Sequence, residues 1–138
     1  MHRDVDEHRP GSIVKAGEKI ELKVTPDPYV TVRYAGASGD FNPIHIDEAF
    51  AQQVGLPGRI LHGLWTMAQV ARVHTEAAGG PDKLKRLSVQ FRGMGVLGEE
   101  ITVSGTVREV SGDVAVIDSE AEQAGKRIIR NAVAEIQL

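Results

Sequence analysis

The chain has 138 residues, 41% of them hydrophobic and 25% charged, with a net charge of −3 and no cysteine. That length argues for one domain with a core of its own, and the missing cysteine excludes a disulfide scaffold, a thiol nucleophile and a cysteine-held zinc. The slightly acidic balance, with no long basic run, argues against a nucleic-acid partner, and no apolar stretch approaches the roughly 20 residues of a membrane span.

Residues 1–12 are charged and aperiodic, with Pro10 and Gly11, and are expected to form a flexible lead-in. They contain no apolar run of the kind a secretory signal needs, so the expectation is a cytoplasmic protein. Lys19 to Val24 alternates, with Ile20, Leu22 and Val24 on one side, which predicts a half-buried strand. Thr25-Pro26-Asp27 predicts a helix start, with Thr25 as N-cap and proline in the first helical position, and the helix should stop between Gly36 and Gly39. Asn42-Pro43 predicts a turn. Asp47 is placed to cap a short helix from Glu48 to Val54, with an acidic first turn that suits the helix dipole. Gly55 and Pro57-Gly58 mark the loop after it.

Gly63 to Ala78 carries the strongest helical period. Leu64, Met67, Ala68 and Ala71 recur at i, i+3, i+4 and i+7 and predict the buried face, widened by Val70 and Val73. Gly79-Gly80-Pro81 ends it. Beyond residue 83 the period changes to two. Leu87, Val89 and Phe91 alternate with polar residues, as do Ile101, Val103 and Val107 around Gly105. Val114 to Ile117 and Ile129 to Leu138 are further strands, set off by turns at Ser111-Gly112-Asp113 and Gly125-Lys126. Helices followed by a run of antiparallel strands make an α+β layout, a sheet with helices on one face.

The chemistry concentrates between Tyr34 and Met67. Asp40 precedes the Asn42-Pro43 reversal and His45 follows it, so two polar side chains converge on one point. A carboxylate and an imidazole so placed can share a water and pass protons. His62-Gly63 opens the long helix, where unpaired backbone N–H groups and the positive end of the dipole collect. Glycine there lets a ligand come close to the backbone, and an enolate-like oxygen would be stabilised.

The pattern Tyr34-x-x-x-Ser38-Gly39-Asp40-x-Asn42-Pro43-x-His45-x-Asp47, followed by Gly55 and His62-Gly63, resembles the MaoC-like family of (R)-specific enoyl-CoA hydratases and (3R)-hydroxyacyl thioester dehydratases. The resemblance implies a hot-dog fold, an antiparallel β-sheet wrapped around a long central helix, here Gly63 to Ala78. It implies that Asp40 and His45 are the catalytic pair and that the Gly63 N–H faces the thioester oxygen. Ser38 and Asn42 fall on positions that support the loop. It implies an acyl-CoA or acyl-carrier-protein substrate, no cofactor and no metal. It also implies a homodimer, or a heterodimer with a related hot-dog subunit. Trp65 is bulkier than the aliphatic residue expected after His62-Gly63-Leu64. The segment from Phe91 to Gly98 carries glycines where prolines are common. Both departures bear on the acyl pocket.

Blander roles stand beside these. Asp47 reads as an N-cap, His62 as an anchor of the loop before the helix, and Trp65 and Met67 as core or pocket wall. His2, His8 and His74 read as solvated, and Lys83, Lys85 and Arg86 as surface charge that could also meet a carrier's phosphate. Two rival functions remain. His45-x-Asp47 with His62 has the composition of a two-histidine, one-carboxylate iron site. Alternatively, the chain is a non-catalytic subunit that holds the acyl chain for a partner.

Overall fold

The computed structural model describes Ile13 and residues 15–138; the expected lead-in at residues 1–12, with His2 and His8, lies outside them. The strands are Lys19–Val24 (β1), Leu84–Phe91 (β2), Ile101–Ser111 (β3), Val114–Gln123 (β4) and Lys126–Gln137 (β5). All pair antiparallel in one sheet of order β1-β3-β4-β5-β2, which leaves β1 and β2 as edges. Between β1 and β2 lie the helices Val30–Ser38 (α1), Pro43–Ile46 (α2), Glu48–Gln53 (α3) and Gly63–Ala78 (α4).

The period-two pattern sends alternate residues to one face. Ile101, Val103 and Val107 of β3, Ala115, Ile117 and Ala121 of β4, and Ile129, Ala132 and Ile136 of β5 are buried there. Helix α4 packs against all five strands of the sheet, most extensively β1, β2 and β5. Val70, Val73 and Ala77 of α4 join the sheet residues in one apolar cluster. Gly105 sits where a side chain has no room, since a Cβ there would lie 3.1 Å from both Ile20 and Ile117.

Helix α4 has the expected bounds but a different buried face. Thr66, Gln69, Val70, Val73, His74, Ala77 and Ala78 are buried, whereas Leu64 is 62% exposed and Ala68 is also exposed. Two polar members of the buried stripe bond to their own helix. Gln69 Nε2 donates to the Trp65 carbonyl at 3.3 Å, and His74 Nδ1 donates to that of Val70 at 2.7 Å. Such internal partners lower the cost of burying polar groups, and a hydrophobicity pattern does not register them. His74, expected in solvent, is completely buried, with Nδ1 bonded in this way and Nε2 without a partner among the described residues.

Two other expectations are corrected. Thr25 does not cap a helix: α1 begins at Val30, after Tyr29. Pro28 disfavours helical geometry at Asp27. Asp27 serves the helix entry from outside, accepting the Tyr29 N–H at 2.7 Å and pairing with Arg33. Asn42-Pro43 is the start of α2 rather than a plain turn. The Asn42 side chain accepts the Ile44 N–H and proline takes the first helical position. Asp47 does cap α3, accepting the Phe50 N–H at 3.0 Å. Among the described residues, no helix is long and apolar enough to cross a membrane.

Candidate active site

Helix α1 ends at Gly39, whose φ of 80° is the left-handed conformation that glycine adopts freely. The chain then enters a tight run of local hydrogen bonds. The Asp40 N–H donates to Ser38 Oγ at 3.1 Å, and the Asn42 N–H donates to Asp40 Oδ1 at 3.2 Å. One carboxylate oxygen of Asp40 is thereby occupied. The other, Oδ2, lies 3.9 Å from Nε2 of His45.

His45 is buried in the short helix α2, and its Nδ1 lies 2.8 Å from the Ile60 carbonyl. A carbonyl only accepts, so the proton sits on Nδ1 and Nε2 keeps its lone pair, directed toward the Asp40 side. The 3.9 Å gap is too long for a direct hydrogen bond and is the kind of distance a small molecule bridges.

His62 closes the group from behind. Its Nε2 donates to the Asp40 main-chain oxygen at 3.0 Å. Its ring stacks on His45 with centroids 3.8 Å apart and planes 20° from parallel, and Tyr34 lies on it at 4.7 Å. His62 Nδ1 is buried without a partner among the described residues. The next residue, Gly63, opens α4, and the His62 side chain makes no capping bond to the helix. The Trp65 and Thr66 N–H groups return to the His62 carbonyl, so the first two amides of the helix, those of Gly63 and Leu64, keep free donors. A Cβ on Gly63 would lie 3.3 Å from the Phe91 ring, which stands over the helix start. Beside these groups lies a cavity of about 350 Å³ lined by Tyr34, Ser38, Asp40, His62, Gly63, Leu64 and Phe91; His45 is not in its lining and borders it through Asp40 and His62.

A family model described as the MaoC like domain matches residues 10–132. The chain belongs to the MaoC-like family. It is 32% identical over 129 residues to a fatty acid synthase beta subunit of Cochliobolus carbonum, covering 91% of this chain but 6% of that protein. It is 31% identical over 117 residues to a peroxisomal hydratase-dehydrogenase-epimerase of Neurospora crassa, covering 85% of this chain and 12% of that protein. The chain therefore spans a small fraction of the length of these relatives. Its fold superimposes on an R-hydratase of Pseudomonas aeruginosa with a TM-score of 0.83 and 25% identity, over 93% of this chain and 84% of the other. The five-stranded sheet around α4 is the hot-dog fold of these neighbours, and the relatives place the domain in a hydro-lyase family.

Within this MaoC-like domain, Asp40, His45, His62 and Gly63 come together, with Ser38 and Asn42 bonded to Asp40. Trp65 does not join them: it is half-buried, packed against the core and outside the cavity lining. Asp47 is engaged as the α3 cap. An ion site would draw on Asp40, His45 and His62, whose ligand atoms lie within 4.8 Å of one another, rather than on Asp47. The two rings are nearly parallel, however, so their in-plane lone pairs do not converge on one point, and the donor set fits a metal poorly.

Three contributors carried no functional reading in the sequence: the Ile60 carbonyl, Tyr34 as a ring partner, and Leu64 as cavity wall. A wider depression of about 520 Å³ lies on the outer sheet face between Lys19, Arg108 and Asp118. Its main charges satisfy each other, Arg108 holding the Asp118 carboxyl below its ordinary range.

Proposed function

We propose that this domain catalyses the reversible hydration of trans-2-enoyl thioesters to (3R)-3-hydroxyacyl thioesters. The observation that carries the reading is the pairing of Asp40 Oδ2 with a bare His45 Nε2 at 3.9 Å, beside the unpaired amide of Gly63. In the hydration direction a water lies between Asp40 and His45. His45 Nε2 takes one of its protons as the oxygen bonds to Cβ. Electrons move from the Cα–Cβ double bond onto the thioester oxygen, where the Gly63 N–H stabilises the enolate. The proton then passes from the pair to Cα, and the carbonyl re-forms. Dehydration is the reverse. The Asp40 carboxylate, facing His45 at 3.9 Å, favours the imidazolium formed in passing. The balance is complete without metal or redox cofactor.

The thioester is carried by coenzyme A or an acyl carrier protein, the chain acts as one domain, and its setting is the cytoplasm. The catalytic unit is a dimer, of two copies or with a related hot-dog subunit. Support comes from the edge strand β2, paired only with β5, and from Leu64 and Phe91, which are 62% and 51% exposed at the cavity wall. Open apolar walls of this kind are covered by a second chain in stable assemblies.

The test is turnover of crotonyl-CoA, followed by loss of enoyl absorbance, with wild type beside His45→Ala. Rapid loss in wild type only, with (3R)-3-hydroxybutyryl-CoA as product, is the expected result. A domain inert toward short and long enoyl thioesters on both carriers, alone and with candidate partner subunits, would end this proposal and leave the acyl-holding role.

A further inference from the structure

We propose that Gln123, at the far end of β4, is a positioning residue for both His45 and Gly63. The inference rests on the acid–base reading above. Gln123 is buried, 5% exposed, and its amide is saturated by a loop rather than by the sheet. Oε1 accepts the Val96 N–H at 2.8 Å, while Nε2 donates to the Val96 and Glu99 carbonyls, both at 2.9 Å. The side chain thus imitates a neighbouring strand and holds residues 96–99 against the sheet.

That loop is the partner of the segment before α4. Val96 forms an isolated antiparallel bridge with Ile60, and the Leu61 N–H donates to the Gly95 carbonyl at 2.9 Å. The Ile60 carbonyl is the group that takes the Nδ1–H of His45, and the Ile60 N–H returns to the Ile44 carbonyl at 3.1 Å. Two residues after Leu61 comes Gly63. One amide side chain therefore fixes the loop that fixes Ile60 and Leu61, which in turn set the tautomer and aim of His45 and the start of α4. Gly95, one of the glycines that depart from the family pattern, belongs to this relay: a Cβ there would lie 2.7 Å from Leu61 Cδ1, so the Leu61 side chain would have to move from its place in the relay. Without this clamp the loop keeps the bridge at Ile60, the Leu61 N–H bond to Gly95 and the Gly98 N–H bond to the Pro26 carbonyl at 2.8 Å, but loses its tie to β4, and displacements on the order of 1 Å are enough to cost a hundredfold in rate.

The experiment compares Gln123→Leu and Gly95→Ala with Val107→Ala, a buried substitution in β3 away from the relay. It reads kcat and KM on crotonyl-CoA, thermal stability, and the nitrogen NMR signals of His45. Gln123→Leu and Gly95→Ala are expected to lose about tenfold or more in kcat with KM within about threefold of wild type, and to lose the protected Nδ1–H signal of His45. Val107→Ala lowers the melting temperature and leaves both readouts unchanged. Should Gln123→Leu fail to fold, Gly95→Ala acts on the same relay from its other side. The proposal is overturned if either folded relay variant keeps the His45 Nδ1–H signal and the activity of Val107→Ala. Should wild type prove inactive on every enoyl thioester, the hydratase reading fails by itself, and the NMR signal still decides the positioning role.

Discussion

His62 lies face to face with His45, ring centroids 3.8 Å apart, while its Nε2–H is committed to the main-chain oxygen of Asp40. One imidazole thus backs the ring of the proposed base and pins the backbone of its carboxylate partner. In His62→Phe the stacked ring remains and the donor to Asp40 is lost. We expect kcat/KM to fall roughly tenfold, the weight of one hydrogen bond. The melting temperature should hold or rise, since the partnerless buried Nδ1 disappears with the substitution. Steady-state kinetics alongside a thermal melt check both halves, and full activity in His62→Phe would show that the Asp40 backbone needs no anchor.

Asp40→Asn keeps an oxygen to accept the Asn42 N–H and removes the charge facing His45. The side chain is half exposed, so the fold should be unaffected. Rate should fall by about 10²–10⁴, the range for a lost acid–base partner. A loss in kcat with KM nearly unchanged is the expected pattern, because the charge acts on the transition state.

The Gly63 amide can be removed without disturbing the helix. Proline is tolerated at the first helical position, and His62, with ψ of 134°, already has the conformation that precedes proline. Gly63→Ala is the steric control, since it adds the same Cβ 3.3 Å from the Phe91 ring. If the amide holds the enolate oxygen, Gly63→Pro should lose a further 10²–10³ or so in kcat relative to Gly63→Ala. Equal activities would remove Gly63 from the mechanism.

Burial pushes the His74 imidazole below its usual value of 6.5, against the opposing bond to the Val70 carbonyl. Below pH 6.5 the unfolded chain takes up a proton that the folded chain refuses, so stability declines as pH falls from there toward the lowered folded value. Within that window each pH unit costs up to about 1.4 kcal/mol. His74→Leu should flatten the fall in melting temperature between neutral pH and pH 5, and an unchanged slope would assign the acid sensitivity to other groups.

Much of the local structure was legible because it is written locally. The alternation from Lys19 to Val24 defines β1, Asp47 caps α3, and Gly63 and Gly79 bound α4, each through short-range sterics or hydrogen bonding. The motif likewise pointed to Asp40, His45 and Gly63 as neighbours, because a reversal of five residues brings the first two together. The helix start at Thr25 was misread because Pro28 acts three residues downstream of the apparent cap.

Tertiary structure decided the rest. Which stripe of α4 meets the sheet depends on polar side chains that bond to their own helix, so a pattern of apolar residues selects Leu64 and Ala68 where the fold buries Thr66, Gln69 and His74. The tautomer of His45 is set by a carbonyl fifteen residues away, the backing of its ring by His62, and the loop bridged to Ile60 is held by an amide on β4. These are contacts between segments that only the packing of α4 against the sheet brings within reach, and no spacing along the chain encodes their distances.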